Sequence, residues 1–461
     1  MFSSYKKYVS ATLVATTLVM SSCQKQSFVD ININPEGLTS VPPANQFLNA
    51  SISVHNRDFE AFYDFYQRIM PWMQYTTGLT GNGQNFTQVY DNFGQRYGSL
   101  YLNVGNALTD MEKLVAALPA EEQPRYTHMI RIGRILKAYY TFYVSDIYGS
   151  LAYSEAFQAR YGGTLTPKYD TQPALFAQLD SELKEAITTL KTAQTASQVA
   201  LGNNDQYYAG STQQWVKAAN ALRLKIAMRL AKRDPSKLRS IAAEVLASPA
   251  SDLMSSNTDS WVFTTVAAFT SGGNWNPDGL RAPKPLVDFM WETKDPRIDA
   301  FFTPNSYSQA NIDLLAANKQ LPTGSKESER RYVGSVTSPD AARLPQNVQR
   351  LYTLRYLTVS NTRTAFDTLS NIQPRLFQPA FAVNGVVGTG RNYLPVITYA
   401  DFCLMRAELA ATGITIEVAK TWYETGVLAS LDWYDMVATG SQLTNYTAMT
   451  AADRSAYLTQ P

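Results

Sequence analysis

The sequence predicts a mostly α-helical protein that contains one long, loop-rich insertion. The first observation is periodicity, because apolar residues in several stretches recur every three or four positions, as they do on one face of a helix. The second is composition, because residues 250–395 contain many Pro, Gly, Ser and Asn and only short helical patterns such as PKPLVDFMWE. We therefore expect helices on both sides of this insertion and any strands within it.

The helical patterns begin near Asn45 and pass through an aromatic stretch, FEAFYDFYQRIMPWMQY, in which Pro71 should end or kink the first helix. A loop, TTGLTGNGQNFTQ, comes next. The clearest later periods predict helices over residues 125–149, 172–193, 212–233, 236–248, 398–412 and 415–438. Thr398 and Asp401 have the spacing of a capping box at the start of one of them.

These helices can form antiparallel pairs, which suggests a tetratricopeptide-like scaffold. The tetratricopeptide consensus does not recur at a fixed period of about 34 residues, so the pattern alone predicts only an α-rich fold with an elaborate loop region. Within the insertion, RYVGSVTS, LYTLRYLTV and FAVNGVV are rich in β-branched and aromatic residues, and we expect short strands there.

The N-terminus is typical of an exported protein. Positive charge precedes an apolar run of about 12 residues, which is shorter than the roughly 20 residues of a membrane-spanning helix. Two small residues and Cys23 follow and resemble a bacterial lipobox. We expect residues 1–22 to be removed, Cys23 to carry the lipid and residues 23–44 to form a tether. The alternative is an ordinary cleaved signal with an incidental cysteine.

Composition excludes several classes of function. The 461 residues include 40 Lys and Arg against 38 Asp and Glu, with no long basic run, which argues against a nucleic-acid-binding protein. The only histidines, His55 and His128, have no second ligand at metal-binding spacing, and no pattern indicates a cofactor. Cys403 lies in an apolar stretch and is expected to be a buried core residue, so no disulfide framework is predicted.

Two loops contain the flat aromatic and hydrogen-bonding side chains that recognition of a sugar ring requires: PWMQYTTGLTGNGQNF and SGGNWNPDGLRAP. Trp275 is the predicted stacking platform, because the glycines around it disfavour burial in a regular element. Trp72 follows an apolar helix, so core packing explains it as well as binding does. We expect the 72–86 and 272–284 loops to build the ligand site on one face. The predicted ligand-binding residues are Trp72, Tyr75, Asn82, Asn274, Trp275 and Arg281. The remaining tryptophans are interpreted as packing residues: Trp215, Trp261, Trp291, Trp422 and Trp433.

Five segments occur in order along the chain: FVDININPEG, YYTFYVSDIYGSLAYSEAF, QQWVKAANALRLKIAMRLAKRDP, DPRIDAFFTP and LPVITYADFCLMRAELA. Together with the lipobox-like start they resemble the SusD/RagB family of nutrient-binding outer-membrane lipoproteins of Bacteroidetes, in its SusD-like branch. The resemblance implies a tetratricopeptide-like fold over residues 45–461 and a lipid anchor on the outer face of the outer membrane. It also implies capture of oligosaccharides, or peptides in some members, for a TonB-dependent SusC-like transporter. Such proteins are not enzymes.

The sequence departs from the family at both ends. QKQSFVD after Cys23 lacks the early acidic residues associated with surface export, and TAMTAADRSAYLTQP shows no closing helix. We therefore expect a domain that is incomplete at its C-terminal end. Two other functions remain open. A surface glycoside hydrolase would need two facing carboxylates, which no spacing identifies. A helical scaffold that binds only proteins is the other, and the exposed character of the Trp275 loop counts against it.

Overall fold

The computed structural model describes residues 41–55, 69–78, 95–265, 280–378, 380–383, 385–388 and 391–460. Contacts divide the chain into Met1–Pro42 and Pro43–Pro461. Every element given below lies in the second of these two units.

Helices make up most of the described structure. Those α-helices of eight residues or more are α1 (Pro43–His55), α2 (Gly105–Ala116), α3 (Thr127–Tyr148), α4 (Gln172–Lys191), α5 (Thr212–Met228), α6 (Pro235–Leu246), α7 (Lys284–Glu292), α8 (Gln309–Ala317), α9 (Tyr399–Ala411), α10 (Ala419–Gly440) and α11 (Ala451–Leu458). Shorter helical turns cover Ile69–Trp72, Gln95–Ser99, Leu100–Val104, Gln123–Tyr126, Ala159–Tyr161, Gly202–Asn204, Ala250–Asp252, Asn257–Asp259, Ile298–Phe301, Pro339–Arg343, Pro345–Asn347, Val348–Tyr352 and Pro374–Phe377.

The helices pack in sequence, α3 on α4, α4 on α5, α5 on α6 and α9 on α10, with α1 on α2. Their apolar stripes form the main core. In α3, for example, Met129, Leu136, Tyr140 and Val144 are spaced by multiples of about one turn, and all are buried. The predicted mostly helical, tetratricopeptide-like fold is therefore confirmed.

Helix ends differ from the prediction by a few residues, and local hydrogen bonds explain the differences. The Thr398 hydroxyl accepts from the Asp401 amide while the Asp401 carboxylate accepts from the Thr398 amide, so the predicted capping box is confirmed. Helix α5 ends at Met228 rather than at residue 233. After Met228 the backbone continues in tight turns, because the Arg229 amide bonds to the Ile226 carbonyl three residues back.

Strands are few and short among the described residues. They are β1 (Thr77–Gly78), β2 (Trp261–Thr265), β3 (Leu280–Arg281), β4 (Arg355–Val359), β5 (Thr362–Phe366) and β6 (Asn392–Ile397). They form three antiparallel pairs, β1–β3, β2–β6 and β4–β5. The β2–β6 pair joins the two ends of the insertion. The expectation that all strands lie within residues 250–395 is wrong for β1 and for the end of β6.

The three strand predictions have different outcomes. The second half of LYTLRYLTV is β4, as predicted. RYVGSVTS is not a strand, because Ser335 pairs with residues 282–284 whereas Val333 bonds to Ser370, so no ladder with a single partner forms. FAVNGVV forms no strand among its described residues. There, two hydrogen bonds join Val383 and Val386 in an isolated bridge.

The insertion has its own small core, which includes Leu280, Val287, Met290, Phe302 and Ile372. It also rests on the helical scaffold, because Ile298–Phe301 packs against α10. This second contact fixes the orientation of the insertion relative to the helices.

A helix does follow α10, so the prediction of no closing helix is wrong. Thr450 and Asp453 form a capping box at the start of α11. Arg454 then binds α10 through Asp432 at 2.7 Å and Asp435 at 3.1 Å. None of the side chains of α11 is buried, so ion pairs rather than an apolar face hold it in place.

Candidate functional site

The structure brings the described parts of the two predicted ligand loops together. In the β1–β3 pair, Thr77 lies opposite Arg281 and Gly78 lies opposite Leu280. The first loop therefore continues from, and the second loop returns to, the same short ladder. The 72–86 and 272–284 loops were expected to build one face, but this pairing between segments remote in sequence was not itself predicted.

Two aromatic residues of the first loop, Trp72 and Tyr75, face solvent. Trp72 is 57% exposed and Tyr75 is 49% exposed, whereas Pro71, within the short helix Ile69–Trp72, is buried. Core packing of Trp72, the alternative considered from the sequence, does not describe its position. Large exposed aromatic rings beside a loop junction are suited to stacking on a ligand.

Arg281 is held by the protein itself. Its guanidinium lies 2.9 Å from the Asp367 carboxylate and donates a second hydrogen bond to the Asn371 side-chain oxygen. The side chain is only 15% exposed. Because Asp367 and Asn371 follow β5, Arg281 connects the β1–β3 pair to a third part of the insertion. Direct hydrogen bonding of Arg281 to a ligand stays a prediction.

The first loop also approaches α10. Burial raises the pKa of Tyr434 on that helix, and the nearby Tyr75 adds to the rise. The Tyr434 ring packs edge to face against Phe301, with ring centroids 4.6 Å apart. The contact of Phe301 in the insertion with Tyr434 on α10 therefore lies near the first loop.

Three of the predicted ligand-binding residues, Asn82, Asn274 and Trp275, lie outside the described residues. The same is true of Cys23. Their roles stay predictions.

The two histidines are placed as structural residues. The His55 ring is hydrogen-bonded to the Tyr207 hydroxyl at 2.9 Å and stacks on Phe263, and burial lowers its pKa to about 3. Burial also lowers the pKa of His128. Within the described parts of the chain, no group of three His, Cys, Asp or Glu side chains is placed to hold a metal ion.

The packing interpretation of the other tryptophans and of Cys403 agrees with the structure. Trp215, Trp261 and Trp433 are buried, and the Trp215 indole donates to the Asp205 carboxylate at 2.7 Å. Cys403 is buried, and burial raises the pKa of its thiol to about 11. Trp422 and Trp291 are half-buried, and each is covered by a guanidinium: Arg406 lies 3.4 Å from the Trp422 ring centroid, and Arg330 lies 5.8 Å from that of Trp291.

One aromatic surface was missed from the sequence. Tyr161 and Tyr169, in the segment between α3 and α4, are exposed, and each hydroxyl is bonded to another side chain of the protein. The sequence feature that could have indicated this surface is the segment ARYGGTLTPKYD, because its glycines and proline disfavour a regular element that would bury the tyrosines.

Comparison with known proteins identifies several solved structures that are similar to this chain over most of its length. Among solved structures, a chitin-binding protein is 21% identical and superposes with a TM-score of 0.66 over 90% of this chain and 79% of its own. A SusD homologue from Bacteroides fragilis is 20% identical, with a TM-score of 0.64 over 91% and 79%. A chitin-binding SusD homologue from Flavobacterium johnsoniae is 21% identical, with a TM-score of 0.57 over 85% and 70%. No curated protein matches the chain.

At this level of identity the solved structures establish the fold. The family assignment comes from a separate observation. A family model for SusD-like proteins, described as starch-binding and associating with the outer membrane, matches residues 35–460. Because the match covers nearly the whole sequence, the chain belongs to this SusD-like family.

Proposed function

We propose that this protein is a cell-surface lipoprotein that binds a nutrient oligosaccharide and delivers it to a TonB-dependent, SusC-like transporter. The observation that carries the proposal is the β1–β3 pair, which joins the segment that follows the exposed Trp72 and Tyr75 to the end of the second loop. The family description, starch-binding and associating with the outer membrane, supports the same function. Two related structures are named as chitin-binding proteins, which supports a glycan as the ligand class.

The chemistry of the described residues suits a sugar. A pyranose ring has an apolar face of C–H groups, which an aromatic ring covers, and a rim of hydroxyls, which side-chain amides and charged groups bind. Trp72 and Tyr75 supply exposed rings. Trp275 is proposed as the main platform on the opposite loop, with Asn82 and Asn274 as hydrogen-bonding partners.

The proposed location is the outer face of the outer membrane, with Cys23 as the lipidated residue. Among the residues that the structure describes, no helix is long and apolar enough to span a bilayer. A single lipid-modified cysteine at the end of a tether would hold the domain near the membrane surface.

We further propose that the protein is not an enzyme. The surface glycoside hydrolase considered from the sequence would release new reducing ends from a polysaccharide. Incubation of the purified protein with starch, chitin and xylan, followed by a reducing-end assay, tests this directly. A rate that exceeds the buffer control would overturn the non-enzymatic proposal.

Binding is tested by isothermal titration calorimetry with a panel of defined oligosaccharides. Replacement of Trp275 or Trp72 by Ala should weaken binding about fivefold to tenfold each, because each removes one stacking contact. Tyr423→Ala is the matched control, since Tyr423 is 58% exposed but lies at the start of α10, away from the loop junction. Equal affinities in all three variants would place the site elsewhere.

Partnership is tested by co-purification from detergent-solubilised outer membrane. We expect a TonB-dependent barrel to co-purify with the lipid-anchored protein in a constant molar ratio. Repeated recovery of the protein alone would contradict the proposed partner without affecting the calorimetric result.

A further inference from the structure

The exposed tyrosines between α3 and α4 lie against a continuous helical stretch, residues 95–116. At one end of this stretch the hydroxyls of Tyr169 and Tyr97 are 2.5 Å apart. At the other end the Tyr161 hydroxyl donates to the Asp110 carboxylate. Thirteen residues separate Tyr97 from Asp110, which corresponds to about 20 Å along a helix. The points at which the two exposed tyrosines are bound therefore lie far apart along the helix rather than at a single place. We call Tyr97, Asp110, Tyr161, Leu165 and Tyr169 the tyrosine ledge.

Both exposed rings of the ledge are fixed in orientation. An exposed tyrosine ordinarily directs its hydroxyl to water, but here each hydroxyl is bound to the protein. The Lys113 ammonium also lies 5.2 Å from the Tyr161 ring centroid, on one face of that ring. Tyr169 is 60% exposed and Tyr161 is 40% exposed. A ring held in this way loses little conformational entropy when a ligand stacks on it.

The backbone behind the rings is also fixed. The Asp170 carboxylate accepts from the amides of Tyr153 and Ser154 at 2.9 and 2.8 Å. Glu155 accepts from the Lys168 amide at 3.1 Å. Gly162 has a φ of +82°, which a residue with a side chain adopts only with strain, and it allows the turn after Tyr161. The segment that presents the rings is therefore held at both ends.

The helical stretch contains an irregularity at the ledge. Residues Leu100–Val104 form a π-helical turn between Gln95–Ser99 and α2. Such turns are rare and occur frequently at functional sites. Behind the ledge, Tyr101 stacks on Phe157 with ring centroids 5.5 Å apart, and Gly105 leaves the space that Phe157 occupies. The aromatic layer thus continues from the surface into the scaffold.

The surroundings of the rings indicate the class of ligand. The exposed residues between Tyr161 and Tyr169 are two glycines, two threonines, Leu165 and one lysine, so hydroxyl groups and only one large apolar side chain lie between the rings in sequence. The core of a protein-binding surface is apolar and continuous. The Asp110 carboxylate is paired with Arg160 at 2.7 Å. Flat rings with neighbouring hydroxyl groups match an uncharged glycan.

We propose that the tyrosine ledge is a second binding surface, which takes an extended neutral oligosaccharide along the helical scaffold. Its ligand stacks on Tyr161 and Tyr169, and the separation of the rings requires several linked sugar units. The ledge is built by elements other than the two predicted loops, so the proposal stands independently of the loop site.

The test is isothermal titration calorimetry of the purified protein with maltohexaose, chitohexaose, xylohexaose and laminarihexaose. The double variant Tyr161→Ala/Tyr169→Ala should lose about tenfold or more in affinity for at least one hexaose, because two stacking contacts disappear. The matched control Tyr161→Phe/Tyr169→Phe retains both rings and should retain most of the affinity. Trp72→Ala should leave binding to the ledge intact. Thermal unfolding of all variants checks that the scaffold is preserved.

Three results would overturn the proposal. The first is unchanged affinity for every hexaose in the double alanine variant, and the second is no binding of any hexaose to the wild type. The third is loss of co-purification with the transporter while all hexaose affinities are retained, which would identify the ledge as a protein-binding surface. Failure of the loop site has a different signature: Trp72→Ala and Trp275→Ala would have no effect while the ledge variant lost binding.

Discussion

Thr77 lies opposite Arg281 in a two-residue antiparallel ladder, and the Arg281 guanidinium is bound in turn to Asp367 at 2.9 Å. One arginine therefore connects the first loop, the end of the second loop and the residues that follow β5. These contacts hold the loops in position, and the direct contact with ligand that the sequence suggests stays a prediction.

A role of Arg281 in holding the loops and a role in binding ligand directly predict different effects when its ion-pair partner, Asp367, is replaced. If Arg281 acts by holding the loops, Asp367→Ala should weaken oligosaccharide binding as much as Arg281→Ala does, because both break the same ion pair. We expect this equality, with a loss of about tenfold, which corresponds to about 1.4 kcal/mol. Calorimetry on both variants measures it. Retained affinity in Asp367→Ala, combined with loss in Arg281→Ala, would instead support direct contact with the ligand.

Replacement of Trp72 and of Trp215 by Ala should change the free energy of unfolding by very different amounts. Trp72 is exposed, so Trp72→Ala should change the free energy of unfolding by less than about 0.5 kcal/mol. Trp215 is buried, so Trp215→Ala should cost about 3–5 kcal/mol through lost packing. Urea unfolding followed by circular dichroism compares the two. A large destabilisation by Trp72→Ala would show that this ring packs in the core after all.

Asp205 is predicted to stabilise the scaffold as a hydrogen-bond acceptor. It is buried and accepts from the Trp215 indole and from the backbone amides of Tyr207, Tyr208 and Gly210. Asp205→Ala should destabilise the fold by about 3 kcal/mol, because several buried donors lose their partner. Asp234→Ala is the control, because Asp234 is an exposed N-cap whose loss should cost less than the loss of this buried acceptor. Equal effects in the two variants would contradict the prediction.

Stability should fall in mild acid because of His55. Burial lowers the pKa of its folded form to about 3, whereas the unfolded side chain titrates near 6.5. Below pH 6.5 the unfolded chain therefore takes up a proton that the folded chain does not, and stability declines as the pH falls towards 3. Between pH 7 and pH 5 this contributes about 2 kcal/mol.

The measurement is urea unfolding of the wild type and His55→Gln at pH 7 and pH 5. The variant should lose less stability over this interval than the wild type does. His128→Gln serves as a comparison, since the pKa of His128 is also lowered by burial. If His55→Gln and the wild type have the same pH dependence, His55 does not remain neutral in the folded protein.

Lipid attachment is predicted to depend on Cys23. Cys23→Ser should abolish incorporation of labelled palmitate and shift the protein from the membrane fraction to the soluble fraction after cell lysis. Cys403→Ser is the control, because Cys403 is buried and cannot be acylated in the folded protein. An unlabelled wild type would support the alternative of an ordinary signal with an incidental cysteine, and continued labelling of the Cys23 variant would place the lipid on another residue.

The sequence predicted those elements whose signals are local. The stripes of α3, α4 and α5 recur with helical period, and the capping box of α9 lies within four residues. Thr450 and Asp453 have the same spacing as Thr398 and Asp401, so a capping-box signal for α11 was present in the sequence. The helix was not predicted, because the residues after this capping box have only a weak apolar pattern. An exposed helix held by ion pairs lacks the hydrophobic period on which prediction depends.

The strands and the site depended on contacts between distant segments. The β-pairing of Thr77 with Arg281 and the hydrogen bonding of Val333 with Ser370 cannot be predicted from either segment alone. The exposure of Trp72 could not be predicted either, because an aromatic ring after an apolar helix is compatible with both a core and a binding surface. The loops were identified as candidate binding segments from residue type and were expected to form one face, but the ladder that joins them required the fold.

The β2–β6 pair allows the insertion to vary in length without a change in the scaffold. Trp261 lies opposite Ile397, so the chain leaves the helical body and returns to it at neighbouring positions. The entropic cost of closing such a loop rises only slowly with its length. Residues can therefore be gained or lost beyond this junction at little energetic cost, provided that the contact of Ile298–Phe301 with α10 is kept. The junction separates the part of the molecule that must fold in one way from the part in which recognition can diversify.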